Sequence, residues 1–100
     1  MTALLDALEE TVRRARAASE DCAASLSPVI RAGHLEVARR AADRAATIAS
    51  SVRTLAPCTD TSARAARLAT EAGDLAARAA DHVEACERAA RRPGRREAQL

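Results

Sequence analysis

Alanine is the residue type that most constrains how this chain can fold. It supplies 28 of the 100 residues, while Phe, Tyr and Trp are absent. Alanine has the highest helix propensity, and the abundant Arg, Leu and Glu follow it closely. Three glycines and three prolines are too few turn residues for a many-stranded β fold. The sequence therefore predicts an all-α protein whose helices meet along alanine-rich seams.

The first predicted helix covers about residues 2–30. Apolar residues recur every three or four positions along it, as on a helix with one buried face, and this stripe includes Leu26 and Val29 near its end. The pair Ser27-Pro28 interrupts the pattern, because a proline there either kinks the helix or starts a short last turn after a serine cap. Gly33 is then expected to end the segment.

Two further segments carry the same periodicity, over about residues 34–55 and 62–92, and a turn rich in capping residues separates them. The last segment can form one long helix, or two helices joined by a tight turn near Ala80-Asp81. Periodicity leaves open three long helices or an antiparallel up-and-down bundle of four.

Charge argues against a nucleic-acid partner. All 16 basic residues are Arg, and the 14 acidic residues are interleaved with them, so the net charge is only +2. Interleaving of this kind is typical of solvated helix faces with ion pairs four residues apart, and no aromatic side chain is present to stack on bases. We expect one bundle domain over residues 1–92 and a flexible basic tail over residues 93–100.

The sequence also predicts a cytoplasmic protein without a membrane partner. Its first residues have neither the basic start nor the apolar run of a signal peptide, and no stretch of 18 apolar residues is present. Three cysteines, an odd number, argue against a disulfide framework.

Four soft donors are predicted to gather at one end of the bundle. With a rise of about 1.5 Å per residue, Cys22 lies about 28 Å along the bundle, His82 about 33 Å, and His34 and Cys86 about 39–40 Å. Cys58 falls at the opposite end, in the turn, as an exposed thiol. The candidate metal ligands are therefore Cys22, His34, His82 and Cys86.

His82 and Cys86 form the most specific feature of this set. They are four residues apart, on one face of a helix, where both side chains can reach one ion. Thiolate with imidazole suits Cu(I) and Zn(II). The alternative is structural, because a buried free cysteine commonly packs as a small apolar residue, and His34 at a helix start can simply be solvated.

These segments resemble the cysteine-rich four-helix-bundle copper-storage family. That family carries repeated Cys-Ala-x-x-Cys motifs along its helices, and a His-x-His-Cys run that leads into a Cys-Ala-Glu-Ala-Cys helix. Residues 81–92 resemble this final helix with most cysteines replaced, and residues 21–26 resemble the end of the first. Residues 41–46 and 55–61 resemble the second helix and its loop, so the resemblance covers residues 5–92.

The resemblance implies an antiparallel four-helix bundle that binds Cu(I) through core thiolates. Of the family's donors only Cys22, His82 and Cys86 have matching positions here, with His34 as an addition. Three cysteines cannot build a core that stores many ions, so the expectation is a single small site, for copper in preference to zinc, or a bundle that has lost its metal altogether.

Three functions follow from these features. The first is a bundle that binds one or a few soft metal ions. The second is a small enzyme, either copper-dependent or using Cys22 or Cys86 as nucleophile with His82 as base. The third is a metal-free bundle that self-associates, or binds another partner, through its alanine-rich seams. The expected partners are thus a metal ion and a second copy of the chain.

Overall fold

Three helices form the part of the chain that the structure, a computed structural model, describes, residues 1–92. They are α1 (Thr2–Ala24), α2 (Pro28–Leu55) and α3 (Asp60–Ala90), and this range contains no strand. Each helix packs against the other two. The chain runs up, down and up again, so α1 and α3 are parallel. The predicted all-α class is confirmed.

The first turn lies earlier than the sequence analysis placed it. α1 ends at Ala24, and Pro28 is the first residue of α2, where a proline loses no hydrogen bond. Ser27 caps α2, because its hydroxyl accepts a hydrogen bond from the Ile30 amide at 3.4 Å. The prediction of one helix to about residue 30 was therefore wrong, and so was the role given to Gly33, which lies inside α2.

The structure does not form the fourth helix. α3 continues without a break through the Ala80-Asp81 position, where neither glycine nor proline is available to end it. At the start of α3, Thr59 is the cap, and its hydroxyl accepts from the Ser62 amide at 3.0 Å. The three-helix alternative therefore describes residues 1–92. The predicted tail, residues 93–100, lies outside the described residues.

Alanine forms much of the core, as predicted. Two groups of buried residues run along the bundle, one around Leu8, Val52 and Ala65 and the other around Cys22, Leu35 and Ala79. Five alanines have no exposed surface, and these are Ala15, Ala38, Ala45, Ala65 and Ala72. Small side chains at these positions let the three helix backbones approach closely.

The apolar stripe that was predicted to be buried is exposed at the first turn and at the end of α2. Leu26 and Val29 are 95% and 81% exposed, because α1 stops before it reaches them. Leu55 closes the apolar pattern of the segment 34–55, and it is 66% exposed as the last residue of α2.

α3 extends beyond the other two helices at the end that holds Cys22. The Cys22 Sγ lies 3.5 Å from the carbonyl oxygen of Arg31 and 3.9 Å from that of Ala79, so these three residues mark one level of the bundle. Between this level and the end of the bundle that holds the first turn, α1 has two more residues and α2 has three. α3 has eleven more residues in the same direction. At about 1.5 Å per residue, α3 projects on the order of 10 Å farther. We call residues 80–92 the overhang.

Among residues 1–92, no helix combines the length and the apolar character needed to cross a membrane.

Candidate functional site

The overhang holds the one donor pair that the sequence placed on a shared face. The Sγ of Cys86 lies 3.6 Å from the Nε2 of His82. Both side chains are half-buried, together with Val83, although all other residues from Asp81 to Arg92 are exposed. Because one helix carries both donors one turn apart, the helix itself brings the two side chains within reach of each other. At 3.6 Å the two groups can share a proton in an S–H···N hydrogen bond.

Cys22 is the deepest of the predicted donors. Its side chain has no exposed surface, and its thiol donates toward the carbonyl oxygens of Arg31 at 3.5 Å and Ala79 at 3.9 Å. It therefore joins all three helices at the level where the bundle ends and the overhang begins. In the described part of the chain no hydrogen bond connects Cys22 with His82 or Cys86.

The surroundings of Cys22 favour the protonated thiol. Burial raises the pKa of Cys22 above its usual value, because the thiolate would lose its hydration. The guanidinium of Arg31 opposes this rise in the pKa, and the negative charge of a Cys86 thiolate adds to it. Cys22 thus behaves as a packed thiol of low reactivity at neutral pH.

Arg31 is a feature that the sequence analysis did not single out. One of its terminal nitrogens donates to the Leu26 carbonyl oxygen at 3.3 Å, while its Nε is buried and has no hydrogen-bond partner in the described structure. An arginine at the start of a helix gives no sequence signal of this kind, because its position depends on where α1 ends. Its side chain packs across the first turn, beside Cys22.

The four predicted ligands do not form one ligand set. His34 is half-buried in α2, and no hydrogen bond joins it to the other donors in residues 1–92. Within the same range no group of three or more His, Cys, Asp or Glu side chains is placed to hold one metal ion. The structure therefore brings together His82 and Cys86, with Cys22 at the foot of the overhang and His34 apart. Cys58 is exposed in the turn at the opposite end, as predicted.

A groove elsewhere on the bundle offers no cysteine or histidine chemistry. It has a volume of about 460 Å³ and lies between α1 and α3, where charged residues such as Arg16, Glu71 and Asp74 line it. No cysteine or histidine contributes to its wall. Nothing in this groove supports either form of the enzyme hypothesis.

Comparison of the chain with protein-family models, with curated proteins and with solved structures finds no match. The resemblance to the copper-storage family therefore depends on the sequence motifs alone.

Proposed function

We propose that this protein binds one soft metal ion, Cu(I) in preference to Zn(II), through His82 Nε2 and Cys86 Sγ. The observation that supports the proposal is the 3.6 Å separation of these two atoms. Cu(I) is bound by soft donors, and a thiolate paired with an imidazole provides them.

The separation matches that of two donors on one tetrahedral ion. For zinc, with bonds of about 2.3 Å to sulfur and about 2.0–2.1 Å to nitrogen, two such donors are about 3.5–3.6 Å apart. The pair has this spacing without any movement of the helix. Binding an ion would then require loss of the thiol proton and a small rotation of the two side chains, with no rearrangement of α3.

The position of the pair also suits uptake of an ion. His82 and Cys86 are half-buried rather than enclosed, so an ion can reach them from the open end of the bundle. Cys22 is poorly suited to take up an ion, because its thiol is fully buried. Its raised pKa also disfavours the thiolate that binds a metal. We therefore assign binding to His82 and Cys86, and give Cys22 and His34 no direct bond to the ion.

The test is a competition titration of the reduced protein with Cu(I), without oxygen, against a chromophoric Cu(I) chelator. The wild type should take up no more than one ion per chain. Cys86→Ala and His82→Ala should each lower the affinity by at least about tenfold, because each removes one of two donors. Both positions lie beyond the buried core, so the bundle should fold in either variant, as circular dichroism will report.

Cys58→Ala is the matched control, because it removes a thiol from the other end of the bundle. It should leave the affinity unchanged. Equal affinities for Cys86→Ala, Cys58→Ala and the wild type, or no uptake by the wild type, would refute the proposal. A parallel titration with Zn(II), against a chromophoric Zn(II) chelator, gives the affinity for zinc, which is then compared with the affinity for Cu(I).

A further inference from the structure

We infer that the ion at His82 and Cys86 binds a small-molecule thiol as its third ligand, so that the site exchanges Cu(I) with thiols in its surroundings. This inference rests on the proposed function, and it adds the class of molecule that completes the coordination of the ion. Three features support it: the short separation of the two donors, the positions of the other soft donors of the chain, and the uncharged side of the overhang on which the pair lies.

The separation of the two donors is the first argument, because it leaves room for a further ligand. Two donors on opposite sides of one ion would be about 4.3–4.4 Å apart, with the bond lengths of zinc as a guide. The Sγ of Cys86 and the Nε2 of His82 are only 3.6 Å apart. Their bonds to a shared ion therefore meet at a bent angle, and the side of the ion that faces away from α3 is open to a third ligand.

The other soft donors of the chain supply the second argument. Apart from the proposed pair, the sequence has two cysteines, one histidine and one methionine. Met1 and Cys58 lie at the opposite end of the bundle, and the buried thiol of Cys22 donates toward two backbone carbonyl oxygens. Within residues 1–92 no third His, Cys, Asp or Glu is grouped with the pair. Because Cu(I) prefers soft donors, a thiol from another molecule suits the open position.

The surface around the pair is the third argument, because it is small and uncharged. Ala89 and Ala90, one turn farther along, lie on the same side of the helix as the two donors. The charged residues from position 81 to position 91 are at least about 100° round the helix from either donor. Two ion pairs hold charges on that other side, Glu84–Arg88 and Glu87–Arg91. Within the overhang, then, no carboxylate lies on the side of the pair to compete for the ion or to repel an incoming thiolate.

The exchange keeps copper as Cu(I) throughout, and nothing is oxidised or reduced. An ion held by two small thiolates forms bonds to the Sγ of Cys86 and the Nε2 of His82, while its bond to one thiolate breaks. The thiolate that leaves takes up the proton of the Cys86 thiol, and the other thiolate stays as the third ligand. The reverse of this step returns the ion to the small thiols.

The experiment adds one equivalent of Cu(I) to the reduced full chain without oxygen, in the presence and in the absence of 2-mercaptoethanol. Native mass spectrometry gives the composition of the product, and X-ray absorption at the copper edge gives the atoms bound to copper. With the thiol, we expect one chain with one ion and one thiol molecule, and two sulfur atoms and one nitrogen around copper. Metal-free protein should carry no thiol, which distinguishes a ligand of the ion from a mixed disulfide.

Cys22→Ala decides between the two sources of the second sulfur. This variant and the control Cys58→Ala should both keep the two sulfur atoms and the thiol, because neither residue binds the ion. Loss of one sulfur in Cys22→Ala would overturn the inference while leaving binding at His82 and Cys86 intact.

Two further results in the wild type would overturn the inference alone. One is an ion bound without a thiol molecule in both conditions, and the other is removal by the thiol of an ion that the protein otherwise holds. Absence of a bound ion in both conditions would overturn the proposed function as well.

Discussion

Arg16 of α1 forms an ion pair with Glu71 of α3, fifty-five residues farther along the chain. Glu9 and Arg64 form a second ion pair between the same two helices with the same offset. The two pairs are seven residues apart on each helix. In one pair the acid, Glu9, lies on α1, and in the other the acid, Glu71, lies on α3. The equal offset of the two pairs is the one expected of two parallel helices that keep a single register.

We expect these pairs to contribute little to stability but to be coupled. Both are exposed, so Arg16→Ala and Glu71→Ala, alone and together, should give a coupling energy of about 0.2–1 kcal/mol in urea unfolding. The charge-swapped chain R16E/E71R should recover most of the stability that R16E alone loses. A coupling energy of zero would show that the register is set by core packing without these charges.

Alanine at the fully buried positions should resist enlargement. Ala45 has no exposed surface, whereas its neighbour Ala46 is exposed on the same helix. Ala45→Leu should lower the free energy of unfolding by about 1–3 kcal/mol, because the added side chain has no space between the helices. Ala46→Leu is the control for helix propensity and should change stability by less than about 0.5 kcal/mol. Similar effects of both substitutions would contradict close helix contact at Ala45.

The raised pKa of Cys22 predicts a loss of stability at alkaline pH. Below about pH 8.5 the thiol is protonated in both states, and its full contribution is present. Above that pH the unfolded chain loses the proton first, so the free energy of unfolding should fall until the pH passes the pKa of the folded state. The measurement is urea unfolding of reduced, metal-free protein from pH 7.5 to 10.5.

Cys22→Ala should flatten that pH profile. The chain has no Lys and no Tyr, so few other groups titrate in this range. A profile that falls equally in wild type and Cys22→Ala would assign the effect to other groups. In the same pH range Cys22 should react with an alkylating reagent much more slowly than the exposed Cys58, until denaturant is added.

Cys58 occupies a backbone conformation that favours glycine. Its φ is 58°, the left-handed region, where a Cβ costs about 1–2 kcal/mol. Cys58→Gly should therefore stabilise the protein by about 0.5–1 kcal/mol, after the greater freedom of glycine in the unfolded chain is subtracted. Cys58→Ala keeps the Cβ and should not stabilise it, and thermal unfolding compares the two. Equal melting temperatures would show that the turn carries no strain.

Local patterns in the sequence predicted the helices and the His82–Cys86 pair, because both depend on spacing along one helix. The helical period predicted one buried apolar face on each segment, and Leu8, Cys22 and Ala79 lie in the core of the structure. The i, i+4 relation placed His82 beside Cys86, and no tertiary information was needed for that.

The errors concern properties that depend on where a helix stops. Ser27-Pro28 supports a kink as readily as a new helix, and the choice depends on packing between α1 and α2. Placing the break near residue 30 brought Leu26 into the predicted seam. The sequence has neither glycine nor proline near Ala80-Asp81 to end a helix, and α3 continues through this position. Because α1 ends at Ala24 and α2 begins at Pro28, His34 lies one turn below the level of Cys22 and Arg31, away from His82 and Cys86.

The parallel arrangement of α1 and α3 has a mechanical consequence. With three helices, residues 1 and 92 lie at opposite ends of the bundle. A pulling force applied between them acts along the helix axes and loads the seams in shear, so many contacts must slip together. A force applied between Cys58 and residue 1, which lie at the same end, would instead peel α1 away from its neighbours one turn at a time. This small bundle should therefore resist stretching far better along the first direction than along the second.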